Sequence, residues 1–211
     1  MSYMPSMLNN KSYDTICHEH LEYYSLKSLK FLIELSNLKI INVSFNQING
    51  GSFSLDIAKN DSVYFKNKTL LKWLLFRENL NQFNSLKTQQ NFFKNIKKHK
   101  LLLSNLIKKL KLNGKKICGY GASTKGNVIL QYCGLTEKHL DYIFEVNQFK
   151  YDRYTPGSKI KILSEKFISK VKPDYLLVLP WHFKEHIITK EKNFLNNGGK
   201  LIFPLPEIEI I

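Results

Sequence analysis

A glycine-rich stretch with a lysine is the first part of the chain that could carry chemistry. It reads Lys115-Lys116-Ile117-Cys118-Gly119-Tyr120-Gly121-Ala122-Ser123-Thr124-Lys125-Gly126. An apolar run, two glycines and a helix-compatible continuation predict a strand, a tight turn and a helix. Gly119 would let the chain turn at the strand end, and Gly121 would leave room for a ligand beside the backbone. Ser123 and Thr124 can cap the helix. The free N–H groups of such a turn, together with Lys125, favour an anion such as phosphate.

Neither common phosphate-binding pattern is complete in this stretch. The dinucleotide-binding fingerprint has a third glycine where this chain has Thr124, and the Walker A pattern has its lysine after the last glycine, whereas Lys125 precedes Gly126. A glycine turn that only joins a strand to a helix, with a solvated lysine, therefore stays open as an alternative.

A second stretch, His18-Glu19-His20, places a histidine on each side of a carboxylate. Histidine is the natural general base near neutral pH, and an adjacent carboxylate can orient it or raise its basicity. Two other interpretations are open: partly buried histidines satisfied by the backbone of an extended segment, or a metal pair. The stretch lacks the HExxH spacing of helical zinc ligands, and no third ligand is evident in the sequence.

Composition and charge narrow the class of protein. With 211 residues, of which 43% are hydrophobic, the chain can bury a core and is expected to be globular. The formal net charge of +15 is compatible with nucleic-acid binding. However, residues 61–114 carry 12 Lys and Arg against 2 acidic residues, so most of the excess lies on one segment. A solvated lysine face is therefore favoured over a nucleic-acid groove.

Compartment and metal content are predicted from the cysteines and the N-terminus. No apolar run is long enough for a bilayer, and the first residues lack the pattern of a signal peptide. Cys17, Cys118 and Cys133 are far apart, with no CxxC pair. This spacing predicts neither a disulfide framework nor zinc and favours a reducing cytoplasm. We expect a cytoplasmic protein without a membrane segment.

The elements that must position these residues follow from periodicity. Residues 1–27 are expected to be irregular, and a helix capped by Ser25 or Ser28 follows. Residues 38–45 and 53–57 predict two strands joined by a turn at Asn49-Gly50-Gly51-Ser52. Residues 66–112 predict a long helical stretch, broken near Asn84-Ser85.

Over residues 115–211 strands alternate with helices, which predicts an α/β fold with a Rossmann-like parallel sheet. The glycine turn is expected at the carboxyl edge of that sheet, where open α/β sheets bind ligands. Trp181 and His182, just after a strand, would either contact a ligand there or pack the strand end against the next helix. Glu145, at the end of the second strand, would meet a ribose hydroxyl or be an exposed acid.

Three stretches resemble the S-adenosylmethionine-dependent C-methyltransferases of nucleotide-linked keto-sugars. They are residues 13–24, the run GYGASTKGNVILQYCG at 119–134, and the ending Gly198-Gly199-Lys200 followed by Pro204-Leu205-Pro206. That family has an N-terminal zinc domain, a central methyltransferase fold and a C-terminal Rossmann-like domain. The resemblance implies that residues 1–60 are the end of the methyltransferase fold, 61–114 a helical connector and 115–211 the Rossmann-like domain.

The resemblance also implies roles for individual residues. In the family, the stretch similar to His18-Glu19-His20 carries the catalytic base, so the role passes to Glu19 and His20; a tyrosine commonly stands where this chain has Cys17. Removal of a proton beside the sugar carbonyl would give an enolate that takes up the methyl group. The substrate, a nucleotide-linked keto-sugar, would be held by Gly119, Gly121, Ser123, Thr124, Lys125, Trp181 and His182.

The resemblance does not extend to the zinc domain or to the glycine-rich cofactor loop of the family. We therefore expect this chain alone to bind neither S-adenosylmethionine nor zinc, and we expect a fragment, a decayed copy, or a subunit whose partner chain carries the S-adenosylmethionine-binding half. The alternative functions are a nucleotide-sugar-binding module without catalysis and, less favoured because of Thr124, an NAD(P)-dependent oxidoreductase.

Overall fold

A computed structural model of the chain describes residues 1–47 and 50–211. The chain divides into two compact units, residues 1–94 and 95–211. Asn49, in the expected turn, lies outside the described residues. Among the described residues, no helix combines the length and the apolar character needed to cross a membrane.

The first unit contains an antiparallel β-hairpin with helices before and after it. Its elements are α1 (Met4–Asn9), a 3-10 helix (Tyr13–Thr15), α2 (Leu26–Leu35), β1 (Leu38–Asn46), β2 (Ser52–Lys59) and α3 (Lys68–Leu80). The predicted hairpin is confirmed, and so is the cap, since the Ser25 hydroxyl accepts a hydrogen bond from the N–H of Ser28. The expectation that residues 1–27 are irregular is wrong, because Pro5 lies in the first turn of α1, where its fixed φ suits a helix.

A buried carboxylate joins the helices of this unit. Glu78 of α3 accepts hydrogen bonds from the N–H groups of Leu26 (2.7 Å) and Lys27 (2.9 Å) and from the Tyr3 hydroxyl (2.7 Å). The first N–H groups of a helix have no partner within it, so Glu78 satisfies two of them from α3. The segment that leads from His20 into α2 is thereby anchored at its far end.

The second unit is a mixed, mostly parallel sheet with helices. Its strands are β3 (Ile117–Tyr120), β4 (Ile143–Glu145), β5 (Ile162–Ser164), β6 (Tyr175–Val178), β7 (Lys200–Phe203) and β8 (Glu209–Ile210). They lie in the order β5-β4-β3-β6-β7-β8, parallel throughout except for the pair β7–β8. The predicted Rossmann-like sheet is confirmed, with an antiparallel edge strand that periodicity did not reveal. The inner strands are buried and read as apolar runs, as parallel strands covered on both faces do.

The remaining helices precede or alternate with these strands. They are α4 (Leu86–Leu112), α5 (Thr124–Tyr132), α6 (Ile168–Val171), α7 (Lys184–Lys190) and α8 (Lys192–Asn196). The predicted break in the long helical stretch separates α3 from α4. After β6 the chain forms a 3-10 helix (Trp181–Phe183) and then α7 and α8, which meet at Glu191.

Candidate functional site

The glycine turn lies at the carboxyl end of β3, as predicted. β4 lies on one side of β3 and β6 on the other, so the strand order reverses direction beside this turn. Ligands of open α/β sheets bind in the crevice at such a reversal. The location of the turn in the fold therefore suits a binding site.

Gly119 and Gly121 are required to be glycine for different structural reasons. Gly119 lies inside β3, so the expectation that it forms the turn is wrong; a Cβ there would come within 2.7 Å of Cγ1 of Ile143. The turn begins at Gly121, whose φ of +84° is a left-handed conformation. A Cβ on Gly121 would come within 2.7 Å of Cδ of Pro180. The room that Gly121 provides is thus used by Pro180, from the loop after β6.

Hydrogen bonds from backbone N–H groups to two side chains fix the rest of the turn. Ser123 is the N-cap of α5, and its hydroxyl accepts from the N–H of Gly126 at 3.0 Å, as predicted. The carboxylate of Glu145, at the end of β4, accepts from the N–H groups of Ala122 (2.8 Å), Val146 (2.8 Å) and Asn147 (3.0 Å). Glu145 therefore joins the ends of β3 and β4.

Glu145 is only 8% exposed, so the expectation of an exposed acid is wrong. Burial alone would raise the pKa of its carboxyl group, but the N–H of Asn147, the Lys150 amine and the N–H groups of Ala122 and Val146 outweigh burial and hold the pKa below its usual range. Both carboxylate oxygens already accept hydrogen bonds from the protein. They are poorly placed to accept two ribose hydroxyls as well.

A cavity of about 340 Å³ opens beside the turn, between the carboxyl ends of the strands and α7. Two of the predicted residues, Gly121 and Ser123, line it. So do residues that the sequence analysis missed, including Tyr120, Lys150, His186 and Lys190. His186 and Lys190 are four residues apart on α7, a spacing that places side chains on one face of a helix. Glu145 and Glu165 also line the cavity and pair with Lys150 and Lys190, so its partly apolar wall offers charges of both signs to a ligand.

Tyr120 is held in the wall of this cavity. Its hydroxyl donates to Oε1 of Glu191 at 2.8 Å, and the Lys190 amine lies 5.7 Å from the centre of its ring. Burial, and then the hydrogen bond to Glu191, raise the pKa of Tyr120. A larger cavity of about 790 Å³ lies between α6 and α8 and contains none of the predicted residues. We therefore place the candidate site at the smaller cavity, on the carboxyl edge.

The remaining predicted residues of this unit form a second group, which does not line the cavity. Lys125 is 9% exposed, so the alternative interpretation of Lys125 as a solvated lysine is wrong. Trp181 is also buried, and His182 follows it in the 3-10 helix after β6. Thr124 is the first residue of α5. The structure thus separates Gly121 and Ser123, at the cavity, from Lys125, Trp181 and His182.

His182, in this second group, is half-buried, and its imidazole is neutral at pH 7. Burial first, and then the positive charge of Lys125, lower the pKa of its imidazole from 6.5 to about 4. Its Nδ1 is buried and has no hydrogen-bond partner among the described residues. A buried polar atom without a partner is uncommon in proteins. The neighbourhood of Lys125 and His182 is therefore suited to an anion that also accepts a hydrogen bond.

The low pKa of His182 gives a testable dependence of stability on pH. The imidazole of His182 takes up a proton near pH 6.5 in the unfolded chain and only near pH 4 in the folded chain. The contribution of neutral His182 to the free energy of unfolding is therefore complete above pH 6.5 and is lost as the pH falls toward 4. We expect His182→Asn to remove it, which changes the difference in free energy of unfolding between the two proteins by at most about 1.4 kcal/mol per pH unit within that window.

Urea unfolding from about pH 7 to pH 4 measures this difference. A Trp73→Phe background leaves Trp181 as the reporter for the second unit, and His186→Asn, at an exposed position of α7, is the matched control. A constant difference between His182→Asn and its parent across the window would contradict the prediction.

The stretch His18-Glu19-His20 lies in the first unit and is a turn, not the extended segment of one interpretation. The N–H of His20 donates to the carbonyl of Cys17 at 3.0 Å, and the Tyr23 hydroxyl donates to the carbonyl of His20 at 3.0 Å. His20 is half-buried, whereas the side chain of His18 is 82% exposed and that of Glu19 is 58% exposed. The sulfur of Cys17, a carboxylate oxygen of Glu19 and a ring nitrogen of His20 all lie within 4.8 Å of one another. The turn therefore brings together the predicted pair Glu19 and His20, and adds Cys17.

Comparison with known proteins agrees with the resemblance. The family model described as the C-methyltransferase C-terminal domain matches residues 47–206. The chain is 32% identical over 212 residues to C-methyltransferase NovU from Streptomyces niveus, an alignment that covers 99% of this chain and 50% of that protein. The chain thus spans about half the length of this curated relative.

Proposed function

The chain belongs to the C-methyltransferase family, and from this premise we propose that it is the C-terminal part of an S-adenosylmethionine-dependent enzyme that methylates a carbon atom of a nucleotide-linked keto-sugar. The observation that carries the proposal is the match of residues 47–206 to a domain of enzymes that methylate carbon. The turn that holds Glu19 beside His20 supplies the acid–base chemistry that such a reaction needs.

Methylation of carbon requires a carbon nucleophile. His20 takes a proton from the carbon beside the sugar carbonyl, and the electrons of the broken C–H bond form the enolate. The enolate carbon would then be the nucleophile for the methyl group, whose bond to the sulfonium sulfur of the donor would break to leave a neutral thioether, and His20 would later release its proton to water. Glu19, whose carboxylate lies within 4.8 Å of a His20 ring nitrogen, orients the imidazole and stabilises its protonated form.

The nucleotide-sugar is held by the second unit in this proposal. Lys125 supplies a buried positive charge for the diphosphate, and His182 supplies an imidazole with a buried, unpartnered nitrogen. Ser123 and Gly121 line the adjoining cavity, whose volume of about 340 Å³ suits part of a nucleotide. Thr124 and Trp181 lie beside these groups in the chain, while Gly119 contributes by letting β4 pack closely against β3.

The methyl donor does not fit the glycine turn of this chain. In Rossmann-like sites an acidic residue commonly binds the ribose hydroxyls of the cofactor, but both oxygens of Glu145 already accept hydrogen bonds from the protein. We propose that S-adenosylmethionine is bound by another half of the enzyme, which a separate chain or another part of a longer protein supplies. We also propose a cytoplasmic location, in keeping with the free thiols of Cys17, Cys118 and Cys133.

The surface of the first unit supports a partner half. Its two-stranded sheet is smaller than a sheet that is usually stable alone. Large apolar side chains are exposed on the same unit, namely Phe31, Leu35, Val63, Tyr64, Phe65, Trp73 and Phe76. Such exposed apolar side chains are characteristic of surfaces that another protein covers.

We predict that the isolated chain does not bind S-adenosylmethionine, because Glu145 is occupied by the backbone. Titration calorimetry of the chain measures this, and a panel of nucleoside diphosphates serves as the comparison, for which saturable binding is expected. A tight, saturable one-to-one complex with S-adenosylmethionine would show that the proposed division of ligands between the two halves is wrong.

A further inference from the structure

We propose that Cys17, Glu19 and His20 form a binding site for a divalent cation of the zinc class. The three side chains offer a sulfur, a carboxylate oxygen and an imidazole nitrogen, all within 4.8 Å of one another. The sequence alone predicts no zinc site, because the cysteines form no CxxC pair and no third ligand is evident beside the two histidines. The turn at residues 17–20 supplies that ligand by placing Cys17 beside His20.

The ligand types select the class of cation. Thiolate, imidazole and carboxylate are the groups that bind Zn²⁺ in proteins, whereas Mg²⁺ and Ca²⁺ take oxygen ligands. Three protein ligands leave the fourth tetrahedral position of Zn²⁺ open to water or to a ligand. The site therefore has the composition of an open zinc site rather than of a closed structural one.

The turn needs little rearrangement to reach zinc geometry. Bonds of about 2.0–2.3 Å place tetrahedral ligands roughly 3.3–3.8 Å apart, so atoms that lie within 4.8 Å of one another need to approach by at most about 1.5 Å. The backbone of the turn is already fixed by the bond from the His20 N–H to the Cys17 carbonyl and by the Tyr23 hydroxyl. Cys17 and His20 are half-buried and Glu19 is exposed, so none of the three side chains is locked in a packed core.

The cation would regulate the reaction proposed above, and this part of the inference rests on that proposed function. A ring nitrogen of His20 that binds a metal cannot accept a proton. Occupancy of the site and proton abstraction by His20 therefore exclude each other, and zinc is expected to inhibit methyl transfer. Metal binding itself needs neither the substrate nor the partner half.

Titration of the whole, reduced chain with Co²⁺ tests the site, because the absorption of Co²⁺ reports both thiolate ligation and tetrahedral geometry. We expect one equivalent to bind with a thiolate charge-transfer band, to be displaced by Zn²⁺ and not by Mg²⁺, and to release protons. Loss of an outer-shell partner alone commonly weakens metal binding about 10–100-fold, so Cys17→Ala and His20→Gln are each expected to weaken it at least about 100-fold.

His18→Ala is the control from the same turn: it removes an exposed imidazole and none of the three ligands, but its Nε2 lies 3.8 Å from Oε1 of Glu19, so a weakening of less than about 10-fold is expected. Circular dichroism of each variant establishes that it is folded, and Cys17→Ser replaces Cys17→Ala if the alanine variant is not. Equal weakening by His18→Ala, a band that survives loss of Cys17, or no saturable Co²⁺ binding would each overturn the proposal. If Zn²⁺ binds as described but His20→Ala retains full turnover, the proposed base is wrong and the metal site stands.

Discussion

Replacement of His20 by alanine is expected to lower the rate of methyl transfer by about 10²–10⁴-fold, the usual contribution of a general base. The barrier rises because the substitution removes the imidazole that is proposed to take the proton from carbon. The measurement is turnover of the nucleotide-linked keto-sugar by the chain combined with the half that binds S-adenosylmethionine. Binding of the nucleotide-sugar, measured by calorimetry, is expected to change little, because the residues proposed to hold the nucleotide belong to the second unit and His20 to the first.

The neighbours of His20 provide the controls for this experiment. His18→Ala removes an exposed imidazole two residues away and is expected to leave turnover near normal. Glu19→Gln is expected to give an intermediate loss, because a carboxylate that orients the base does not itself carry the proton. Loss of turnover in His18→Ala with near-normal turnover in His20→Ala would move the base by two residues. Near-normal turnover in both would contradict the roles that the family implies for this turn.

Lys125→Met is expected to have the opposite signature, weakening nucleotide-sugar binding about 10- to 100-fold with a smaller effect on the chemical step. A hydrogen bond to a charged group contributes about 1.5–3 kcal/mol, and a buried amine that faces a diphosphate is such a donor. Methionine keeps the length and the apolar character of the side chain, so the substitution removes mainly the charge. Calorimetry with the nucleotide-sugar measures binding. In the combined enzyme, the change in KM is compared with the change in kcat, which separates an effect on binding from an effect on the chemical step.

Lys116→Met is the matched control for this second prediction. Lys116 is an exposed lysine that precedes β3, so it lies at the amino edge of the same sheet and its replacement removes the same charge. Equal weakening by the two variants would show that only the net charge of the domain matters. Unchanged binding in Lys125→Met, with an unchanged unfolding midpoint, would exclude Lys125 from the substrate site.

The sequence determined the class of fold and the place of the glycine turn. Parallel strands that are covered on both faces are apolar throughout, as Leu176 and Leu177 of β6 are, and strands of this kind alternating with helices over residues 115–211 predicted the sheet. The starts of two helices could also be predicted from neighbouring residues. Ser25 and Ser123 cap the helices that follow them, because each hydroxyl accepts a hydrogen bond from an N–H only three residues away. The stretch at residues 119–134 also carried the family resemblance, which the match to the C-methyltransferase domain confirms.

The tertiary structure alone decided what the residues of the two candidate sites contact. Gly119 is glycine because Ile143 packs against it, and Glu145 is buried because it accepts the N–H of Ala122, 23 residues earlier. Lys125 is buried, and the thiol of Cys17 turns toward His20. Periodicity reports which face of an element is covered, but partners distant in sequence depend on strand register and on the path of each turn. Strand register and the path of each turn are set by the packing of the whole unit, so a local sequence pattern cannot predict them.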